Sequence, residues 1–86
     1  MVISGIYIET IPGEATKVTQ SLQKIHGVEV HHIEDNFKII LTVEAVTIDG
    51  SYKIAEKFKL IDGVLTICLA YSNFESEPGY EEVANS

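Results

Sequence analysis

Apolar residues recur along the chain with two different periods, and the switches between them mark out its elements. Ile3 to Glu9, rich in isoleucine and tyrosine, alternates as a strand does. Thr10-Ile11-Pro12-Gly13 breaks that run. Ala15, Val18, Leu22 and Ile25 then recur at spacings of three, four and three, with Thr16, Lys17, Gln20, Gln23 and Lys24 between them. That pattern predicts an amphipathic helix. Thr10 is its expected cap, with Pro12 in the first turn and Glu14 near the positive helix end. His26-Gly27 closes it, Gly27 suiting a left-handed C-cap. Val28 to Ile33 and Phe37 to Ala45 read as two strands joined at Glu34-Asp35-Asn36, an antiparallel hairpin. A second helix is expected from near Ile48-Asp49-Gly50-Ser51, capped by Asp49 or Ser51, with Tyr52, Ala55, Phe58 and Ile61 as its stripe and Ile54 in support. Asp62-Gly63 ends it, and Val64 to Ser72 is a fourth strand.

The order is therefore β-α-β-β-α-β with short connections. Right-handed crossovers place both helices on one side of a four-stranded antiparallel sheet, an α+β, ferredoxin-like arrangement. The halves are related, since His26-Gly27-Val28 and Asp62-Gly63-Val64 occupy equivalent junctions. Residues 1–73 form the expected domain. Residues 74–86 carry Glu75, Glu77, Glu81 and Glu82 with Pro78 and Gly79, and are expected to be a disordered acidic tail.

Alternation along each strand sorts side chains into two sets. Ile39, Leu41, Val43 and Ala45 belong together and should meet the helices, as should Ile6, Ile8, Val28, Val30, Leu65, Ile67 and Leu69. The opposite set is Gly5, Tyr7, Glu9, Ile40, Thr42, Glu44, Thr66, Cys68 and Ala70. No helix remains to cover it. Scattered apolar residues on an open sheet need no explanation. A contiguous apolar patch on a soluble monomer, in contrast, usually marks a contact site.

Charge narrows what such a patch would meet. The 86 residues contain six lysines, no arginine and thirteen acids, for a formal charge of −7. That balance argues against nucleic acid, whose phosphates require basic residues, and favours basic partners. The lone Cys68 cannot form an intramolecular disulfide, and it reads as a small hydrophobe in mid-strand. The start of the chain has neither a basic region nor an unbroken apolar run, so no signal peptide or membrane span is expected and the location is taken as cytoplasmic.

No catalytic or metal constellation stands out, and the expectation is a non-enzyme without cofactors. His31 and His32, as strand neighbours, should face opposite ways and not share a metal, and no zinc-type spacing is present. Other proteins of this topology fit poorly. Acylphosphatase chemistry holds its phosphate with an arginine. An RNA-recognition motif needs stacking aromatics beyond Tyr7. A copper-carrying domain would show Cys-x-x-Cys where Thr10-Ile11-Pro12-Gly13 stands.

Four segments stand out together: Ser4-Gly5-Ile6-Tyr7-Ile8, Leu22-x-x-Ile25-x-Gly27-x-Glu29-Val30, Ile39-Ile40-Leu41-Thr42-Val43-Glu44-Ala45 and, most specific, Ile61-Asp62-Gly63-Val64-Leu65-x-Ile67-x-Leu69-x-Tyr71. By their order and spacing, residues 2 to about 77 resemble the NapD family of small cytoplasmic chaperones that assist maturation of the periplasmic nitrate reductase. His26 stands where a proline is common before Gly27, a change confined to a turn. The resemblance implies a ferredoxin-like fold and binding of the twin-arginine signal peptide of the reductase's catalytic subunit, held back from export until the molybdenum cofactor is inserted. In that picture the peptide's apolar stretch lies on Gly5, Tyr7, Ile40, Thr42, Thr66 and Cys68. Its arginines meet rim carboxylates, with Glu9, Glu44, Glu75 and Glu77 as candidates. The chain is expected to be a monomer or weak dimer. Two alternatives stay open: a small-molecule-binding regulatory module, and a homotypic interaction domain pairing through its edge strands.

Overall fold

The computed structural model of the chain describes the backbone of residues 1–74 and the side chains of residues 1–70. The elements are β1 (Val2–Thr10), α1 (Ala15–Leu22), β2 (Val28–Glu34), β3 (Lys38–Ala45), α2 (Ile48–Phe58) and β4 (Val64–Phe74). The four strands form one antiparallel sheet in the order β2-β3-β1-β4. This is the expected ferredoxin-like topology. The last strand runs on to Phe74, paired with Val2. The acidic segment holding Glu75, Glu77, Glu81 and Glu82 lies outside the described residues.

Both helices pack on the same face, and the core lies between them and the sheet. Ala15, Val18 and Leu22 of α1 and Phe58 of α2 are buried against Ile6, Ile8, Ile39, Leu41 and Val43. Fully burying each such large side chain contributes roughly 1.5–3 kcal/mol. Val28, Val30 and Ile67 pack at the margin of the same cluster. Two expected core residues depart from this. Leu65 is the extra residue at a register shift, where Glu9 pairs with Thr66 and Thr10 with Val64, and it is 63% exposed. Leu69 keeps its place opposite Ile6 but is 60% exposed, because β4 is the strand that the helices cover least. Tyr52, expected in the α2 stripe, is 64% exposed above that same uncovered edge.

The helix ends differ from expectation in ways that bind the halves together. Thr10 does not cap α1; it ends β1, buried, with its hydroxyl donating to the Ile11 carbonyl. Pro12 lies in the turn ahead of the helix. Glu14 occupies the cap position in a helical conformation and makes no capping bond. Asn36 serves instead, from the β2–β3 turn. Its Oδ1 accepts from the Thr16 amide at 3.1 Å, and its backbone carbonyl accepts from the Gly13 and Ala15 amides. Asp35 and Asn36 have φ of 50° and 54°, and the Phe37 amide donates to the Glu34 carbonyl, the signature of a tight primed turn. The short side chain of Asn36 tolerates that conformation. At α2 the cap is Thr47, not Asp49 or Ser51, its hydroxyl accepting from the Gly50 amide at 2.9 Å. Both helices also stop short of the predicted ends. Amides of Ile25 and Ile61 donate to carbonyls three residues back, so each stripe finishes in a tightened turn before a glycine.

Those glycines, Gly27 and Gly63, have φ of +91° and +99°, so the internal symmetry extends to backbone conformation. Gly27 is also crowded: a Cβ there would sit 2.5 Å from the Glu44 carbonyl oxygen, whereas one on Gly13, with φ +87°, would meet nothing within 4 Å. In denaturant titrations Gly27→Ala is therefore expected to lose about 2–4 kcal/mol, and Gly13→Ala only about 1 kcal/mol. Equal losses would refute the close approach. The Thr19 hydroxyl is buried without a partner among the described residues. Thr19→Val, which keeps the shape and removes the orphaned group, is expected to raise stability by about 0.5–1.5 kcal/mol, and a loss would mean the hydroxyl is bonded.

Candidate functional site

The sheet face opposite the helices is built in cross-strand rows, because residues paired in register point the same way. Thr42 is flanked by Glu29 of β2 and Gly5 of β1. The next row holds His32, Ile40, Tyr7 and Cys68, and the one after it Glu34, Lys38, Glu9 and Thr66. In the other direction Glu44 lies opposite Ile3. All eight residues singled out in the sequence thus share one face: Gly5, Tyr7, Glu9, Ile40, Thr42, Glu44, Thr66 and Cys68. Ile40 is 39% exposed, and Glu44, Thr66 and Cys68 are exposed as well.

A shallow hollow of about 490 Å³ opens at the centre of this face. Gly5, Tyr7, Ile40, Thr42, Ala70 and His31 line it, and its surface is mostly carbon. Two irregularities shape it. Gly5 pairs with Tyr71 and Ile6 with Leu69, so Ala70 is an extra residue that bends β4 beside Gly5. Likewise Val30 pairs with Leu41 and His32 with Ile40, leaving His31 as an extra residue in β2.

The second bulge overturns the expectation that His31 and His32 face opposite ways. The His31 ring lies on the open face, with Nε2 2.9 Å from the Thr42 hydroxyl and Nδ1 3.8 Å from Glu29. His32, paired with Ile40, shares that side and lies 3.9 Å from Glu34. Strict alternation from Val28 and Val30 already puts His31 on the open face and hides only His32, which the bulge moves there. Among the described residues no three His, Cys, Asp or Glu side chains converge as metal ligands. Cys68 is exposed rather than buried, because β4 is a sheet edge and its open-face side has no cover.

A second hollow, of about 470 Å³, adjoins the first at the Glu44 end and shares His31 and Thr42 with it. Its other walls are mixed, with Glu29, Glu44 and His26 beside Ile3, Val28 and the Gly27 turn, so it is far more polar than the first hollow. Neither Glu29 nor His26 figures among the residues expected from the sequence. Alternation with the inward Val28 and Val30 does put Glu29 on the open face, whereas His26, ahead of β2, has no such signal.

Charge is unevenly distributed over the molecule. Lys17, Lys24, Lys53, Lys57 and Lys59 all lie in the helices or the turns that end them, several paired with helix carboxylates. The open face carries one lysine, Lys38, among Glu9, Glu29, Glu34 and Glu44. At the Lys38 end the groups are mutually engaged. Tyr7 donates its hydroxyl to Glu9 at 2.8 Å, and the Lys38 ammonium lies 5.9 Å from the Tyr7 ring centre and 5.2 Å from that of Phe37. The bond to Glu9 raises the Tyr7 phenol above its ordinary 10.0, and the neighbouring Tyr7 hydroxyl raises Lys38 above its ordinary 10.5. Both therefore keep their protons throughout the neutral range.

A third, smaller hollow of about 190 Å³ lies on the helix side, between α2 and β4, lined by Ile6, Ile48, Tyr52 and Leu69. It contains no charged group.

Adjacent residues of β3 test the face assignment. Ile40→Thr, on the open face, is expected to change stability by less than about 1 kcal/mol, whereas Leu41→Ala, in the core, should cost about 2–5 kcal/mol. Comparable losses in thermal or denaturant melts would place Ile40 in the interior.

A model of the NapD protein family matches residues 1–76. No curated protein sequence matches the chain. Among solved structures, the solution structure of the E. coli Tat proofreading chaperone protein NapD superposes with a TM-score of 0.75 at 20% identity, over 90% of this chain and 81% of that one. That likeness is one of fold, and it agrees with the β-α-β-β-α-β order and the single antiparallel sheet found here. Because the family match runs from the first strand through the last, the chain belongs to the NapD family.

Proposed function

We propose that this protein is a non-catalytic chaperone that binds a twin-arginine signal peptide on its open sheet face. The peptide is that of the periplasmic nitrate reductase catalytic subunit, and binding in the cytoplasm delays export until the cofactor has been inserted. The observation that carries this reading is the uncovered apolar hollow around Gly5, Tyr7, Ile40 and Thr42, set in a face whose margins are carboxylates, on a chain of the NapD family. The name of the E. coli structure, a Tat proofreading chaperone, supports the same role.

The chemistry of such a peptide suits the face. Its apolar stretch would cover Gly5, Tyr7, Ile40, Thr42, Thr66 and Cys68. Removing about 300 Å² of apolar surface from water contributes roughly 7 kcal/mol, against which association and ordering costs are set. Exposed ion pairs contribute only about 0–1 kcal/mol each, so the carboxylates act mainly on encounter and orientation. A peptide disordered when free loses entropy on binding, which favours a reversible complex suited to timed release.

One observation favours a second reading, pairing of two copies through β4. That edge strand, Val64–Phe74, contains no charged residue, and Leu65 and Leu69 are exposed along it. Sedimentation at working concentration separates the two readings, since pairing through β4 requires a stable dimer in the absence of peptide.

Calorimetric titration tests the main reading. A twin-arginine signal peptide is expected to bind at least ten-fold more tightly than its twin-lysine version or an unrelated basic amphipathic peptide. Ile40→Asp should abolish that binding while leaving the fold intact by circular dichroism. Equal affinity for all three peptides would reduce the face to a non-specific acidic surface.

A further inference from the structure

We infer that the peptide lies on the open face in one direction only, with its arginine pair at the Glu29–Glu44 end and its apolar run extending across Ile40 and Tyr7 toward Lys38. This assignment rests on the function proposed above and adds the orientation and the arginine-contacting residues.

Two features set the direction. First, the two hollows of the face differ in character yet share a wall. The one at the Glu44 end is lined by Glu29, Glu44 and His26, and the one beside it by Gly5, Tyr7 and Ile40, with His31 and Thr42 common to both. A ligand with a cationic end followed by an apolar stretch fits this tandem in one direction. Second, the carboxylates at the two ends are not equivalent. Glu9 already accepts the Tyr7 hydroxyl, and Lys38 is paired in register with both Glu9 and Glu34. An arginine placed there would meet a fixed ammonium. Among the described residues the Glu44 carboxylate has neither a hydrogen bond nor an ion pair, and the Glu29 carboxylate has one ion-pair neighbour, the His31 ring at 3.8 Å. Neither faces a lysine. The length of the face admits such a ligand in either direction. Same-face rows along a strand are about 7 Å apart, so the three intervals from the Glu44 row to the Lys38 row cover about 20 Å, the length of roughly 13 helical residues.

Arginine suits the Glu29–Glu44 end better than lysine does. Its planar fork of five N–H donors can engage a carboxylate and a second acceptor together, and the Thr42 hydroxyl lies in register beside Glu29. His31, held against that hydroxyl at 2.9 Å, forms the boundary between the two seats and positions Thr42.

The test compares two double variants of the full chain that remove the same charge. Glu29→Gln/Glu44→Gln is expected to weaken binding of a twin-arginine signal peptide at least ten-fold, and to erase most of its advantage over the twin-lysine peptide. Glu9→Gln/Glu34→Gln should weaken it less than three-fold. Equal losses, as general acidic attraction requires, or a larger loss from the second pair, would overturn the orientation. A nitroxide on Leu65→Cys in a Cys68→Ser background, at the Lys38 end and on a residue outside the proposed contact set, provides a readout independent of affinity. With isotopically labelled peptide, resonances of the apolar run should broaden more than those of the arginines, and the reverse order overturns the proposal. If the unmodified chain does not bind the peptide at all, the function reading fails and the orientation with it. Binding with the wrong polarity leaves the function standing and removes only the orientation.

Discussion

The structure depends on one constraint: a four-stranded sheet has two faces, and this chain has helices for only one. β1, at the interior of the sheet, shows the consequence most clearly. Val2, Ile6 and Ile8 face the helices and are buried, while Gly5, Tyr7 and Glu9 face away. Backbone pairing on both sides leaves β1 no freedom to shift, since a slip of one residue would bring Glu9 into the core and Ile8 out of it. The face that results is thus an obligatory by-product of the core. Its exposed apolar atoms are the surface that the proposed peptide would cover.

Electrostatics follows the same division. The amphipathic helices carry nearly all the lysines on their solvent side, where they pair locally with Glu14, Asp49 and Glu56. The open sheet face retains four carboxylates and one ammonium, and that ammonium is confined to one end. A formal charge of −7 spread evenly would attract any cation without direction. The share carried by the open face, four carboxylates with one ammonium neutralising one end, distinguishes a basic segment from an apolar one.

Irregular residues do much of the shaping. The bulges at His31 and Ala70 flank the central hollow from both sides, and a third places Leu65 at the foot of β4. Bulges also protect an edge strand. β4 lacks charge over its whole length, yet its two register shifts divide it into short stretches, which makes pairing with another strand harder. Asn36 acts over a longer distance, closing the hairpin turn while capping a helix that begins twenty residues earlier in the chain.

Periodicity by itself determined the element order, the fold class and the membership of the two faces. Each of these follows from local repeats of two or about 3.6 residues, and burial of the apolar set leaves one solution. The eight expected face residues lie together for that reason. What only the tertiary structure decided depends on partners distant in sequence. Asn36 displaced Thr10 as the α1 cap because the β2–β3 turn reaches the helix start, a contact with no local signature. The bulges broke alternation at His31, Leu65 and Ala70, since a register shift is settled by the neighbouring strand. Leu69 and Tyr52 stayed exposed because the helices cover β4 least of the four strands. His32 joined the face through the β2 bulge, and Glu29 came beside Thr42 through cross-strand pairing. Local repeats can assign a residue to a face, but its neighbours there are set by register, which is a property of the whole sheet.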